Sequence, residues 1–279
     1  MIKVSADSTC DLSPELIKEF DIAITPLSIV VEDQVFKDGV DVHPVDVFRF
    51  VDDEGKSCQT GAVNVFEYQQ HFQELSKQHS AIIQICLGSG FSSCYSNALL
   101  AARDFPNVHV VDSKNLSSGM GHLVYDAALL AQAGIEPVEI KKRLDALVPK
   151  VEASFIIDRL DYLAKGGRCS AITAQSAKLL RLKPCIEVRD GAMIVGRKYR
   201  GSFEKALRTY VQERLEGRDD LDYSRVFITH PACKSEVVAM VRASIEEYGH
   251  FEEIIETRAG CTISNHCGPN TLGILFKRL

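Results

Sequence analysis

No C-x-x-C pair occurs among the nine cysteines, which are odd in number and scattered along the chain. They therefore lack the spacing of a disulfide framework or a structural zinc site, and most read as small core residues. His230 with Cys233, and His266 with Cys267, are the nearest approaches to ligand pairs, and neither has a second pair at usable spacing. Long apolar runs are missing too: no segment reaches the ~18 to 20 residues that a membrane span requires. The opening MIKVSADST has neither the basic stretch nor the apolar core of a secretory leader, so a cytoplasmic protein is expected. Charge of one sign is nowhere concentrated. The 32 basic and 38 acidic residues give a net charge of −6 without long blocks, which argues against a nucleic-acid or membrane-surface partner. Nor is there a G-x-x-x-x-G-K-[ST] run, so no P-loop nucleotide site is expected, and no metal or cofactor.

The chain's 279 residues, 46% of them apolar, suffice for two ordinary domains. Over residues 1–151, short apolar runs such as IKVSAD, AIIQICL and VHVVDS alternate with helical patterns, the rhythm of βα units on a mostly parallel sheet. Ser13-Pro14 marks the start of the first helix. Asp7-Ser8 and Asp112-Ser113 close two strands, and Asp7 and Asp11 read as helix caps. Asp38-Gly39 reads as the turn of an apolar ribbon. Over residues 152–279 the pattern changes. A helical stretch interrupted by Gly166-Gly167 precedes two alternating runs around Asp190-Gly191, a hairpin signal, and helices and strands follow. The expectation is an α+β domain with a mixed sheet.

Residues 86–94, CLGSGFSSC, lie between a strand and a helix, where helix N–H groups and the peptide dipoles attract anions. Gly88 and Gly90 would admit a ligand to the backbone, and Ser89, Ser92 and Ser93 offer hydroxyls. Three functional readings are open. A dinucleotide loop has its G-x-G and an acidic residue, Asp112, after the next strand, but Ser93 stands where the third glycine belongs. A nucleophile elbow at Ser92, with His266 as base, lacks the closing glycine. A cradle for one carboxylate or phosphate lacks nothing. Against all three, Ser92 or Ser93 simply caps the helix. Thr60 and Asn64 are candidate caps of the next helix upstream. His266 precedes a Cys-Gly-Pro-Asn loop that would leave it accessible as a neutral donor. Arg168, and Arg197, Lys198 and Arg200, form two basic clusters, either solvated or built to meet an acidic or phosphate-bearing partner.

Eight stretches, in order over nearly the whole chain, resemble the DegV family of bacterial lipid-binding proteins: VSADSTCDL with ITPLSIVVEDQVFKDGVDV, TGAVNVFEY, GSGFSSCYSNALLAA, VVDSKNLSSGMG, LDYLAKGGRCS, LKPCIEVRDG, KYRG and NHCGPNTLGI. The resemblance implies two α/β domains holding one long-chain fatty acid in a tunnel between them. Some members are the substrate-presenting subunit of a fatty acid kinase, in which a separate ATP-binding protein makes the acyl phosphate. On that similarity Thr60 and Ser92 bind the carboxylate, His266 lies beside it, and Arg168 and Arg200 meet the kinase. Gly61-Ala62 and Ser93-Cys94 depart from the family's usual Ser-Gln and Gly-Thr.

Overall fold

The computed structural model describes residues 1–168 and 182–279. In chain order the first part comprises β1 (Ile2–Asp7), α1 (Pro14–Glu19), β2 (Ala23–Thr25), β3 (Ser28–Val31), β4 (Gln34–Lys37), α2 (Pro44–Phe48) and β5 (Cys58–Gly61). It continues through α3 (Val65–Ser76), β6 (Ala81–Cys86), α4 (Cys94–Ala101), β7 (Val108–Asp112), α5 (Ser117–Gln132) and α6 (Pro137–Leu147). There follow β8 (Val151–Ile157), α7 (Leu160–Gly166), β9 (Lys183–Arg189), β10 (Ala192–Tyr199), α8 (Phe203–Leu215), β11 (Leu221–His230), α9 (Ser235–Tyr248), β12 (Glu253–Arg258), α10 (Cys261–Cys267) and β13 (Thr271–Arg278).

Three sheets organise these elements. A parallel sheet runs β2-β1-β6-β7, as the βα rhythm leads one to expect; β6 is buried along its whole length, which suits its Ile-rich sequence. The mixed sheet runs β10-β9-β8-β13-β11-β12, parallel only between β11 and β12. A small antiparallel sheet, β4-β3-β5, sits apart from both. Asp190-Gly191 is indeed the tip of the β9–β10 hairpin, with Arg189 paired to Ala192. The ribbon's turn, by contrast, falls at Glu32-Asp33, between the paired Val31 and Gln34. Asp38-Gly39 follows β4, and the buried Asp38 carboxylate accepts N–H bonds from Cys261 and Thr262 at the start of α10. The helical stretch after β8 is α7, which ends in the left-handed Gly167 (φ 68°); the remainder of that pattern, with Cys169, lies outside the described residues.

The two large sheets share a core. Helix α5 lies between them, burying Met120, Leu123, Val124 and Ala127, and one apolar cluster joins Val4, Ile83 and Ile85 of the parallel sheet to Phe155, Phe227 and Leu275 of the mixed one. At roughly 1.5 to 3 kcal/mol for each large side chain buried, this shared layer is the main force holding the halves together. A second cluster packs α8 and α9 on the outer face of the mixed sheet. There the Tyr210 hydroxyl donates to the Ser154 carbonyl (2.7 Å) and accepts from Ile274 N–H (3.1 Å), satisfying a phenol with no exposed surface.

Candidate functional site

Two segments far apart in sequence meet at the edge of the shared core. Thr60 lies on β5, opposite Ile29 of β3, so it is a strand residue; Asn64 caps α3, with Glu67 completing a capping box. His266 lies on α10, a short helix, where the sequence suggested an accessible loop, and it is half-buried. The start of α10 is fixed by buried carboxylates from the first part of the chain: Asp11 accepts from Gly260 N–H, and Asp38 from the next two amides. Asp11 is therefore no helix cap of its own segment; burial holds its carboxyl up at about 8. Asp7 is likewise not a cap. It accepts from Tyr68 Oη (2.5 Å) and from Leu87 N–H (2.8 Å), pinning the first residue of the glycine-serine loop, and burial raises its carboxyl to about 6.

The β5–α10 meeting is direct: Thr60 Oγ1 and His266 Nε2 are 2.9 Å apart. Burial, and secondly the Arg168 charge, push His266 down to about 4, so the ring is neutral at pH 7. Its tautomer follows from its surroundings. Among the described residues Nδ1 has no partner, and it lies against Gly166, where an added Cβ would be 2.2 Å from it. A proton there would be a buried orphan donor, so we assign the proton to Nε2, donated to Thr60. The Thr60 hydrogen is then free to be offered elsewhere.

What lies alongside is a cavity of about 160 Å³, lined by Leu27, Leu87, Phe91, Leu116 and Ile263 among other apolar side chains, and by Thr60, Ser92, Ser93 and His266. Arg168 is its only charged lining residue among those described. Leu116, Ile263 and Cys267 also line a smaller space of about 20 Å³ beyond, between Phe155 and Leu275. Ser92 Oγ accepts from Cys94 N–H and donates to Cys94 Sγ, both at 3.2 Å. It thus takes the capping role while its hydrogen rests on a weak sulfur acceptor. Ser93, the formal N-cap of α4, makes no side-chain cap bond. Among the described residues the cavity therefore presents the hydroxyls of Thr60, Ser92 and Ser93, that of Thr262 being given to Asp38, and no carboxylate, within apolar walls, which is chemistry for one small anionic head on an apolar body.

Other candidates fall away from this place. Gly88 and Gly90 serve close packing rather than ligand approach: a Cβ on Gly88 would lie 2.8 Å from Asn115 N, and one on Gly90 would lie 2.1 Å from Gly191 O. Ser89 bonds to Asp112 through both its N–H (3.0 Å) and its hydroxyl (2.6 Å), and Lys114 N–H adds a third donor, so Asp112 is committed as a loop clasp and a ribose would compete with all three. Ser92 and His266 line the same cavity, but each bonds elsewhere, and no carboxylate orients Nδ1 as a hydrolase base requires. Arg168 donates to the Gly166 carbonyl; Arg200 is exposed and apart from the cavity. Arg197 pairs with Glu213. Among the described residues, no group of three or more His, Cys, Asp or Glu could hold a metal, and no helix is long and apolar enough to cross a membrane. The sequence did not point to the apolar lining, since Leu27, Leu116 and Ile263 are spread along almost the whole chain.

Fold and site define an α/β protein with an apolar cavity headed by hydroxyl and imidazole groups beside one arginine, Arg168. A model of the DegV family, described as uncharacterised proteins, matches residues 1–278, and the chain belongs to that family. A DegV domain-containing protein of Caldanaerobacter subterraneus subsp. tengcongensis is 31% identical over 278 residues, covering 99% of this chain and 98% of that one. Among solved structures, a DegV family protein from Thermus thermophilus described for fatty acid binding superposes with a TM-score of 0.89 at 25% identity, covering 100% and 99% of the two chains. A stearic acid-binding protein from Eubacterium ventriosum gives 0.84 at 25% identity, covering 100% and 98%.

Proposed function

We propose that this protein binds one long-chain fatty acid between an N-terminal domain of residues 1–151 and a C-terminal domain of residues 152–279, with the carboxylate held by Thr60 and Ser92. The observation that carries the reading is the convergence of the Thr60–His266 pair and Ser92 on one apolar cavity with no acidic lining residue among those described. A buried carboxylate must receive hydrogen bonds. Here Thr60 donates because neutral His266 occupies its acceptor side, and Ser92 donates by turning from Cys94. The acyl chain follows the apolar walls past Leu116, Ile263 and Cys267 and gains about 0.8 kcal/mol for each CH₂ buried. The fatty acids bound by the Thermus thermophilus and Eubacterium ventriosum relatives support this ligand class.

In this reading the chain is a cytoplasmic carrier that presents the acid, and a separate ATP-binding kinase subunit converts it to the acyl phosphate. Arg168, at the cavity, and Arg200, exposed, are the residues assigned to that partner. Hydroxyl donors suit such a role, because they hold the carboxylate without a salt bridge that would blunt its nucleophilicity. The test is mass spectrometry of the purified protein under native and then denaturing conditions, followed by titration with fatty acids. A fatty acid released on denaturation, or stoichiometric uptake whose affinity is weakened in Thr60→Val, supports the proposal. A protein that neither carries nor takes up any fatty acid refutes it.

A further inference from the structure

The β9–β10 hairpin projects beyond its sheet. Its own ladder runs from Lys183–Tyr199 to Arg189–Ala192, yet β8 pairs with β9 only at Cys185, Ile186 and Glu187. Among the described residues, therefore, no third strand pairs with the tip Val188 to Met193, which lies on the edge of the mixed sheet. Two-stranded ribbons are marginally stable by themselves.

This tip has a distinct surface on each side. Met193 lines the head-group cavity, and Val188 packs on the shared core. Behind the tip, Val188, Arg189, Asp190 and Gly191 face Val151 and Glu152 across an open cleft of about 790 Å³. The end of the hairpin rests on the same loop that carries Ser92. Gly90 and Gly191 meet backbone to backbone, so closely that no side chain fits at position 90, and Gly191 also lies over Lys114. At the other end of the tip the β9–β10 register shifts between Val195 and Lys198, an irregularity where a ribbon bends most readily.

We propose that Val188–Met193 is a strap that lifts from Gly90 into the cleft to admit and release the fatty acid, pivoting near the bulge at residues 195–198. The proposal rests on the fatty-acid reading. It assigns to the cleft the role of clearance and to the two facing glycines the role of latch.

The experiment is stopped-flow release of bound palmitate, displaced by excess fluorescent fatty acid, from wild type, Gly90→Ala and Val188→Ala. Gly90→Ala pries the latch open. Val188→Ala loosens the strap without touching the cavity, and it decides the matter should Gly90→Ala fail to fold. Loss of two partly buried methyl groups of hold should speed release about three- to tenfold in Val188→Ala, with association faster too and Kd changed much less. Backbone amide exchange at residues 188–193 should be slowed by palmitate. Release rates within twofold of wild type in every folded variant would overturn the strap while leaving the fatty-acid reading intact. Absence of palmitate binding, and of binding to any other fatty acid, in wild type would remove both.

Discussion

Replacing Thr60 with valine removes one hydroxyl and keeps the branched shape, so its effects can be worked out atom by atom. On the proposed function the ligand loses a hydrogen bond to its ionised carboxylate, worth about 1.5 to 3 kcal/mol, which corresponds to affinity weakened roughly 10- to 150-fold. His266 Nε2–H, now 2.9 Å from a methyl group, becomes a buried unpaired donor at a cost of about 1 to 3 kcal/mol to the folded protein. Thr60→Ser restores both bonds and should bind within a few-fold of wild type. The stronger test is a double-mutant cycle with His266→Phe. Because the imidazole acts through Thr60, His266→Phe should weaken binding in the wild type and do nothing further in the Thr60→Val background, a coupling of about 1 kcal/mol or more. Calorimetric titration with palmitate at pH 7 reads all four corners. Affinity in Thr60→Val within twofold of wild type, or strictly additive losses, would refute the arrangement.

Ser92→Ala should weaken palmitate binding about as much as Thr60→Val, since it deletes the second donor to the same charge. Gly166→Ala would place a Cβ 2.2 Å from His266 Nδ1 and so should displace the ring, lowering affinity without altering any group that contacts the ligand. Arg200→Ala should leave palmitate titrations unchanged and reduce acyl phosphate formation with a cognate kinase, whereas weakened palmitate binding would place Arg200 in the wrong role. His266 is depressed from 6.5 to about 4 in the folded state, so the native protein binds fewer protons than the unfolded chain between those values. Its contribution is present above pH 6.5 and is lost as pH falls toward 4. Denaturant titrations should therefore show His266→Gln gaining on wild type across that window, by at most about 1.4 kcal/mol per pH unit.

What could be read from the sequence was local. Asp190-Gly191 carries its turn chemistry in two residues, Asn64 and Glu67 their capping box in four, and the apolar run of β6 its burial in six. Position relative to other segments was legible only through likeness to a family. Asp7 and Asp11 carry the local signature of caps, yet each bonds to amides from distant segments, Leu87 and Gly260. Gly88 and Gly90 look the same whether a ligand or another stretch of backbone comes close, and here the backbone does. Thr60 reads as a helix start because the four residues that make β5 a strand, its partners Ser28 to Val31, lie about thirty positions earlier. His266 offered no signal beyond its type, because its partner is 206 residues away.

That separation has a consequence for how the protein is made. The ligand-binding corner is closed by α10, whose docking carboxylates, Asp38 and Asp11, precede it by 223 and 249 positions. At roughly 5 to 20 residues per second of synthesis, about 10 to 40 seconds pass between the translation of Thr60 and that of His266. Throughout that interval the N-terminal sheet can fold, but the cavity has an open side and Thr60 has no imidazole beside it. On the proposed function, a fatty acid can therefore contribute nothing to the early stages of folding. It acts only on the finished chain, and a ribosome stalled before codon 260 should hold a nascent protein unable to retain lipid.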